Sequence, residues 1–387
     1  MITTINNKHN KLNVPNLRFK EFQGEWEMCK LGDVMNFSTT RVNSSELNED
    51  NYVSTENMLQ DYQGIVDAKS VPEDVNVISF SCGDILISNI RPYLKKVWKA
   101  TYNGGCSSDV FVLKANDNIE SDYLHYVIAN DKFINFVMSG AKGVKMPRGD
   151  KKQMKTYCLS LPQIQEQKKI STLLRLIDER IATQSKIIDK LQSLIKGIVD
   201  STILRKEKNA IVGDVCSISE QIRAEANIDD IITVRLHGNG VCKSSAENLQ
   251  LGATQYYRRR AGQLIYGKQN FHNGAIGIVP ISLDNGITSK DIPSFDIDEM
   301  KCNSVYLLAQ LQSPQYYKPA EALTTGTGSK RLKEETFLKM PIVLPNKREQ
   351  DNIATLIISI SANLDQAKKM LDLFSIQKQY LLRQMFI

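Results

Sequence analysis

Two long stretches of the chain set their seam positions in alternating steps of three and four. In the first the positions are Leu174, Ile177, Ile181, Gln184, Ile188, Leu191, Ile195, Ile198 and Thr202. In the second they are Ile353, Ile357, Ile360, Leu364, Ala367, Leu371, Phe374, Lys378, Leu381 and Met385. This 3.5-residue period belongs to a helix that supercoils against a partner. Both stretches open alike. Leu161-Pro-Gln-Ile-Gln-Glu-Gln-Lys-Lys-Ile170 recurs 183 residues later as Leu344-Pro-Asn-Lys-Arg-Glu-Gln-Asp-Asn-Ile353, with Leu, Pro, Glu, Gln and Ile in identical places. Proline suits a first helical turn, where its missing N–H is not needed, and the glutamate faces the positive end of the helix dipole. The pattern predicts helices over 163–204 and 346–387, each of 42 residues, and a continuous helix of that size runs about 60 Å.

Ahead of each helix lies a block with strand and turn character. The chain therefore divides into a polar N-terminal tail (1–13), a first head (14–160), a central spacer helix (161–204), a linker (205–208), a second head (209–343) and a C-terminal spacer helix (344–387). The heads share Leu31-Gly-Asp-Val34 with Val212-Gly-Asp-Val215, and Gly83-Asp-Ile-Leu86 with Gly262-Gln-Leu-Ile265, but little between those marks. If the helices pair, the chain runs outward along one and returns along the other. The expected fold is thus α/β in each of two quasi-repeated globular heads, separated by an antiparallel pair of long helices with a pseudo-two-fold axis. Phe133, Phe136 and Val137 read as the apolar face of a head helix that follows Ser121-Asp-Tyr-Leu124. Trp26 and Trp98 read as core or boundary aromatics.

A length of 387 residues accommodates two globular units with proper cores. No window reaches the roughly 18 uninterrupted apolar residues of a membrane span, and the first ten residues lack an apolar core like that of a signal peptide. A cytoplasmic protein with no membrane contact is expected. The seven cysteines (29, 82, 106, 158, 216, 242, 302) are odd in number and scattered, which predicts reduced, mostly buried thiols and no metal knuckle. The four histidines (9, 125, 237, 272) are equally dispersed. With 49 Lys+Arg against 43 Asp+Glu, the net charge of +6 permits a nucleic-acid partner without demonstrating one.

Catalytic motifs are missing from the pattern. There is no Asn-Pro-Pro-Tyr-type methyltransferase motif and no Gly-rich cofactor loop after a strand. Thr325-Gly-Thr-Gly-Ser-Lys330 fails the phosphate-loop pattern because Ser329 separates Gly328 from Lys330. Glu299-Met-Lys301 with Asp296 resembles a metal-dependent nuclease only as common short patterns do. Two stretches per head instead suit DNA, where Lys and Arg neutralise phosphates and paired donors or acceptors address base edges. In the first head, Ile85-Leu-Ile87 runs into Ser88-Asn89-Ile-Arg91-Pro92 and on to Lys95 and Lys96, with Pro92 biasing Arg91 to extended backbone. Its counterpart carries Lys268, Gln269 and Asn270. The second stretch is a glycine-bearing basic loop with Lys142, Lys145 and Arg148 in one head and Lys330 and Arg331 in the other. Tyr256-Tyr-Arg258-Arg259-Arg260 adds three cations beside aromatics, and reads as a segment that tracks the backbone or stacks against an extruded base, or equally as an edge strand carrying protective charges. Duplex DNA carries two-fold axes, so two differing heads would read two different half-sites.

Val14-Pro-Asn-Leu-Arg-Phe19, Phe22-Gln-Gly-Glu-Trp26 and Lys30-Leu-Gly-Asp-Val34 resemble the opening of the specificity subunit of type I restriction-modification systems, and the doubled Leu-Pro-x-x-x-Glu-Gln helix start resembles that family's spacer helices. The resemblance spans essentially the whole chain. It implies two target recognition domains in a non-catalytic subunit that binds double-stranded DNA. It also implies two modification subunits, which carry S-adenosylmethionine and methylate adenine, and restriction subunits, which use ATP and magnesium; no cofactor is implied in this chain. Two other readings stay open, an autonomous nuclease or methyltransferase and a coiled-coil interaction protein whose heads bind proteins.

Overall fold

The computed structural model describes residues 2–4, 13–143, 145–244, 254–326 and 329–387. Val144, Thr327 and Gly328 of the basic loops, and Met1 with residues 5–12 of the expected tail, lie outside the described residues. Within that tail, Ile2–Thr4 pairs antiparallel with Leu17–Phe19. The chain packs as two compact units, residues 1–183 with 370–387 and residues 184–369.

The seam spacing becomes two long helices, Ile164–Val199 and Lys347–Met385. Every seam residue is buried or half-buried, while most positions beside them are exposed. In the first unit Asp178 pairs with Lys378 at 2.6 Å, and the Arg180 guanidinium lies 5.9 Å from the Phe374 ring centre. In the second, Gln184 Nε2 donates to the Ala367 carbonyl at 3.2 Å, and Lys206 pairs with Glu349. Within each unit rising numbers on one helix meet falling numbers on the other, so the pairing is antiparallel. The first helix stops being α-helical at Val199 rather than at 204, and Asp200–Leu204 forms a π-helical turn. Ser201 and Thr202 hydroxyls donate to the Gly197 and Ile198 carbonyls there, both at 2.7 Å, a competition with backbone bonding that loosens a helix.

Each head is built on a four-stranded antiparallel sheet. In the first the order is Met35–Phe37, Val110–Ala115, Ile85–Ser88, Val97–Lys99; in the second it is Cys216–Ile218, Ser294–Ile297, Leu264–Tyr266, Ile276–Ile278. The registers correspond: Leu113 sits between Phe37 and Ile85, and Phe295 between Ile218 and Leu264. A smaller sheet flanks it in each head, Arg41–Asn43, Asn76–Phe80, Gly104–Cys106 and Tyr52–Val53 in one, Arg223–Ala224, Tyr256–Arg258 and Ile287–Ser289 in the other. Helices Ser121–Ile128 and Lys151–Lys155 recur 183 residues on as Ser304–Leu311 and Glu334–Leu338. The duplication therefore continues in three dimensions where residue identity has vanished.

The shared marks are explained by contacts. A Cβ on Gly32 would lie 3.0 Å from Lys155 Cβ, and one on Gly213 3.2 Å from the Leu338 carbonyl, so a bare backbone lets each short helix dock. Asp33 and Asp214 each accept a hydrogen bond from the backbone N–H three residues earlier, at 2.9 and 2.8 Å. Arg18 of the opening motif forks onto Glu166 with two 2.8 Å bonds, and both side chains are buried.

The expected head helix is Asp131–Ser139, where Phe133 and Val137 are buried and Phe136 is half-buried. Trp26 is core, and Trp98 is half-buried against Phe80 and Tyr102. The thiols depart from expectation. All seven cysteines are free, but only Cys106, Cys216 and Cys302 are buried; Cys82 is exposed in a turn and Cys158 is exposed at the start of a strand.

Candidate nucleic-acid interface

The central strand of each large sheet is fully buried, and the chain leaves it into a loop tied on both sides. In the first head the Asn89 N–H donates to the Asp109 carbonyl at 2.7 Å, and the Asn89 carbonyl accepts from the Gly149 N–H at 3.0 Å. In the second the Lys268 N–H donates to the Asp291 carbonyl, and the Lys268 carbonyl accepts from the Leu332 N–H, both at 2.9 Å. The basic loop is a small hairpin in both heads. Lys142 and Arg148 exchange backbone bonds at 3.1 and 3.0 Å; Thr325 and Arg331 do so at 3.0 and 2.9 Å. Two candidate stretches far apart in sequence thus lie side by side in each head.

An arginine closes each hairpin onto the turn that precedes the neighbouring strand. Arg148 Nη1 reaches Asp109 Oδ1 at 3.1 Å, and Arg331 reaches both carboxylate oxygens of Asp291 at 3.2 and 3.3 Å. Lys142 pairs with Asp150 at 3.2 Å. Asp150 caps the next helix by accepting from the Gln153 and Lys152 N–H groups, which with Lys142 holds its carboxyl below the usual range. Asp109 and Asp291 escaped sequence reading because each lies about 40 residues from its arginine in an ordinary turn.

The candidates divide by their surroundings. Arg91 and Lys145 are exposed and have no ion-pair partner among the described residues. Arg91 is not extended as expected: its φ of 51° and ψ of 61° are left-handed. A tight turn imposes this, with the Arg91 N–H donating to the Pro147 carbonyl and the Leu94 N–H returning to the Arg91 carbonyl. Gln269 and Asn270 are exposed, and Lys330 is exposed with Glu321 3.6 Å away.

Other candidates are taken up internally. Lys95 pairs with Asp131 at 2.9 Å, and Lys96 donates to the Thr55 carbonyl, its burial lowering its pKa. Asn89 is half-buried, with its side-chain oxygen turned to the hairpin side at Gly149. Lys268 pairs with Glu334 at 2.7 Å and its side chain is only 11% exposed.

The arginine run is corrected most sharply. Arg259 is wholly buried, donating to Thr288 Oγ1 at 2.7 Å, Ser294 Oγ at 2.9 Å, the Ile292 carbonyl at 3.0 Å and Gln221 Oε1 at 3.4 Å. Burial pulls its pKa down to about 10. Arg258 and Arg260 stay exposed but precede the central strand rather than follow it, and with Glu220, Asp296 and Glu299 they line a cleft of about 380 Å³. The mixed charges there make a poor phosphate track. Asp296 accepts from Gln263, and Lys301 pairs with Asp298. Among the described residues no group of three or more His, Cys, Asp or Glu is arranged to hold a metal, and no helix is long and apolar enough to cross a membrane.

Two duplicated heads, each joined to a helix of an antiparallel pair and each presenting a clasped loop of cations and amides, define a two-headed protein suited to addressing two related sites. A family model, the type I restriction modification DNA specificity domain, matches residues 23–193. The MjaVIII type I restriction enzyme specificity subunit of Methanocaldococcus jannaschii is 23% identical over 392 residues, covering 91% of this chain and 90% of that protein. The fold is similar to the crystal structure of the type I restriction-modification S subunit from M. genitalium, with a TM-score of 0.64 and 12% identity over 97% of this chain and 99% of that one. It is also similar to a chain solved in work on assembly and conformational transition of the type I R-M system, with a TM-score of 0.51 and 15% identity over 92% and 96% of the two chains. Over most of its length the chain is thus similar to specificity subunits of type I restriction-modification systems.

Proposed function

We propose that this chain reads a bipartite target in double-stranded DNA, one half-site per head, and is itself non-catalytic. Two modification subunits carrying S-adenosylmethionine methylate adenine at the sites it selects, and restriction subunits using ATP and magnesium complete the complex. The observation that carries this reading is the repeated loop frame. Asn89 and Lys268 occupy the same backbone position in corresponding sheets, yet the exposed residues that follow differ, Arg91 in one head and Gln269 with Asn270 in the other. Equivalent mounts with different polar groups suit a reader of two unlike half-sites. Arg91, Lys145, Gln269, Asn270 and Lys330 lead the DNA-contacting set, with Lys142, Arg148 and Arg331 on the same hairpins paired to aspartates.

The test is a map of methylated adenines by long-read sequencing in cells carrying this gene and its modification partner, against cells lacking this gene alone. A bipartite motif that vanishes with the gene is the expected result. Unchanged methylation with the partner expressed and assembled would favour the protein-interaction reading instead.

A further inference from the structure

The two heads differ in sequence almost everywhere, so a contact kept in both cannot encode a difference between their targets. The bond from Asn89 to Asp109 matches that from Lys268 to Asp291, and the bond from Gly149 to Asn89 matches that from Leu332 to Lys268. The hairpins Lys142–Arg148 and Thr325–Arg331 match as well, and each closes through an arginine on an aspartate of the same turn. Even the side chains at 89 and 268 share a direction, inward, one towards Gly149 and the other onto Glu334.

What the frame leaves outside is not kept. In the first head Arg91 stands out from a left-handed turn with Lys145 exposed on the adjoining hairpin. At the corresponding place the second head exposes Gln269 and Asn270, with Lys330 on its hairpin. A guanidinium fork and a pair of carboxamides are the donors and acceptors that distinguish base edges in a major groove, the first suiting guanine and the second adenine.

We infer that Asp109 with Arg148, and Asp291 with Arg331, are positioning pairs that hold a reading loop in each head, and that discrimination between bases falls to Arg91 and Lys145 in the first head and to Gln269, Asn270 and Lys330 in the second. This rests on the DNA-reading proposal above. It divides the cationic loops into residues that aim and residues that choose.

The experiment uses the assembled complex with its modification subunits and a pool of duplexes randomised at both half-sites, the bound fraction being sequenced. Arg91→Gln with Lys145→Gln should change or relax the bases preferred at one half-site, with preference at one or more positions falling about tenfold, and leave the other half-site untouched. Gln269→Ala with Asn270→Ala should do the converse. Arg148→Lys and Asp109→Asn should keep the same preferred bases at both half-sites while flattening the preference at one. The reversed pair, Asp109→Arg with Arg148→Asp, should restore it. A general loss of structure would weaken both half-sites together, and melting of each variant identifies that case; Arg148→Lys, which keeps the charge, decides the matter if Asp109→Asn melts early. The inference is overturned if the Arg91 and Lys145 double variant keeps its half-site preferences, if Arg148→Lys changes which base is preferred, or if the reversed pair folds without restoring preference. A wild-type complex with no sequence preference would instead defeat the DNA-reading proposal itself.

Discussion

Gln167 and Gln350 occupy the same joint in the two halves of the chain. Gln167 Oε1 accepts from the Glu120 N–H at 2.8 Å, and its Nε2 donates to the Asn118 and Pro162 carbonyls at 3.2 and 2.9 Å. Gln350 Oε1 accepts from the Asn303 N–H at 2.9 Å, and its Nε2 donates to the Lys301 and Pro345 carbonyls at 3.2 and 2.8 Å. All partners are related by the 183-residue offset, and both glutamines are buried. The Gln of the Leu-Pro-x-x-x-Glu-Gln start is therefore a three-way bracket. It ties the first turn of the long helix to the entry of a head helix, which fixes where the head sits on its own helix.

Gln167→Leu removes that bracket at nearly constant volume. It removes the partner of one N–H and two carbonyls, the Pro162 bond being buried and the other two part-buried, at about 1–3 kcal/mol for each group that finds no replacement. The expected outcome is a melting temperature at least about 5 °C below wild type, with Gln350→Leu behaving alike. Thermal unfolding followed by circular dichroism checks this, and a variant that melts with the wild type would show that the bracket contributes nothing.

Arg259 and Arg91 should separate cleanly in a paired measurement. Among the described residues Arg259 is a core cation whose hydrogen bonds go to neutral oxygens, so Arg259→Met should destabilise the second unit by about 1–3 kcal/mol and leave the salt dependence of DNA binding unaltered. Arg91→Ala touches an exposed side chain without a partner among the described residues. It should shift stability by no more than about 0.5 kcal/mol, and it should relax the base preferred at one half-site at a cost of about 1–3 kcal/mol in binding. Finding that relaxed preference in Arg259→Met instead would reverse the assignment.

The difference between those two arginines marks how far the sequence was legible. Seam spacing, helix starts and the Leu-Gly-Asp-Val marks are local patterns, and each is realised by a local cause: the period of a helix, a proline in the first turn, a glycine under a docked helix. In sequence Arg258, Arg259 and Arg260 read as a run of like cations. What it does not disclose is that the inward side at Arg259 offers two hydroxyls, a carbonyl and an amide in place of an apolar wall. The same limit hid the clasps, since Asp109 meets Arg148 only after a strand, two helices and a hairpin have folded between them. Lys268 looked free in sequence because Glu334 lies 66 residues on.

Acid should weaken the first unit through His125. Its imidazole Nδ1 is buried without a hydrogen-bond partner among the described residues, and burial first, with Lys378 and Lys99 adding to it against Asp178 and Asp122, lowers its pKa from 6.5 to about 4. The unfolded chain therefore binds this proton more readily than the folded one. Stability is complete above pH 6.5 and is lost as pH falls towards 4, by up to about 3 kcal/mol. Melting temperatures between pH 7 and pH 4.5 should fall more steeply for wild type than for His125→Phe. Parallel profiles would assign the acid sensitivity to other groups.

Length in the helix pair should translate into length on DNA. One heptad adds about 10 Å to a helix, and base pairs of a duplex rise about 3.4 Å each, so a heptad corresponds to roughly three base pairs. Inserting seven residues into the seam after Ile188, with seven more placed after Leu364 in the opposing helix, keeps the three-and-four spacing on both sides of each insertion. A seven-residue step also keeps both seams on their facing sides, whereas four residues in one helix alone would rotate its seam away. The expected product is a complex whose methylated motif retains both half-site sequences with about three more unspecified base pairs between them, read directly from long-read maps of methylated adenine. A motif whose gap is unchanged in a folded double-insertion variant would show that the helices join the heads without measuring the distance between their half-sites.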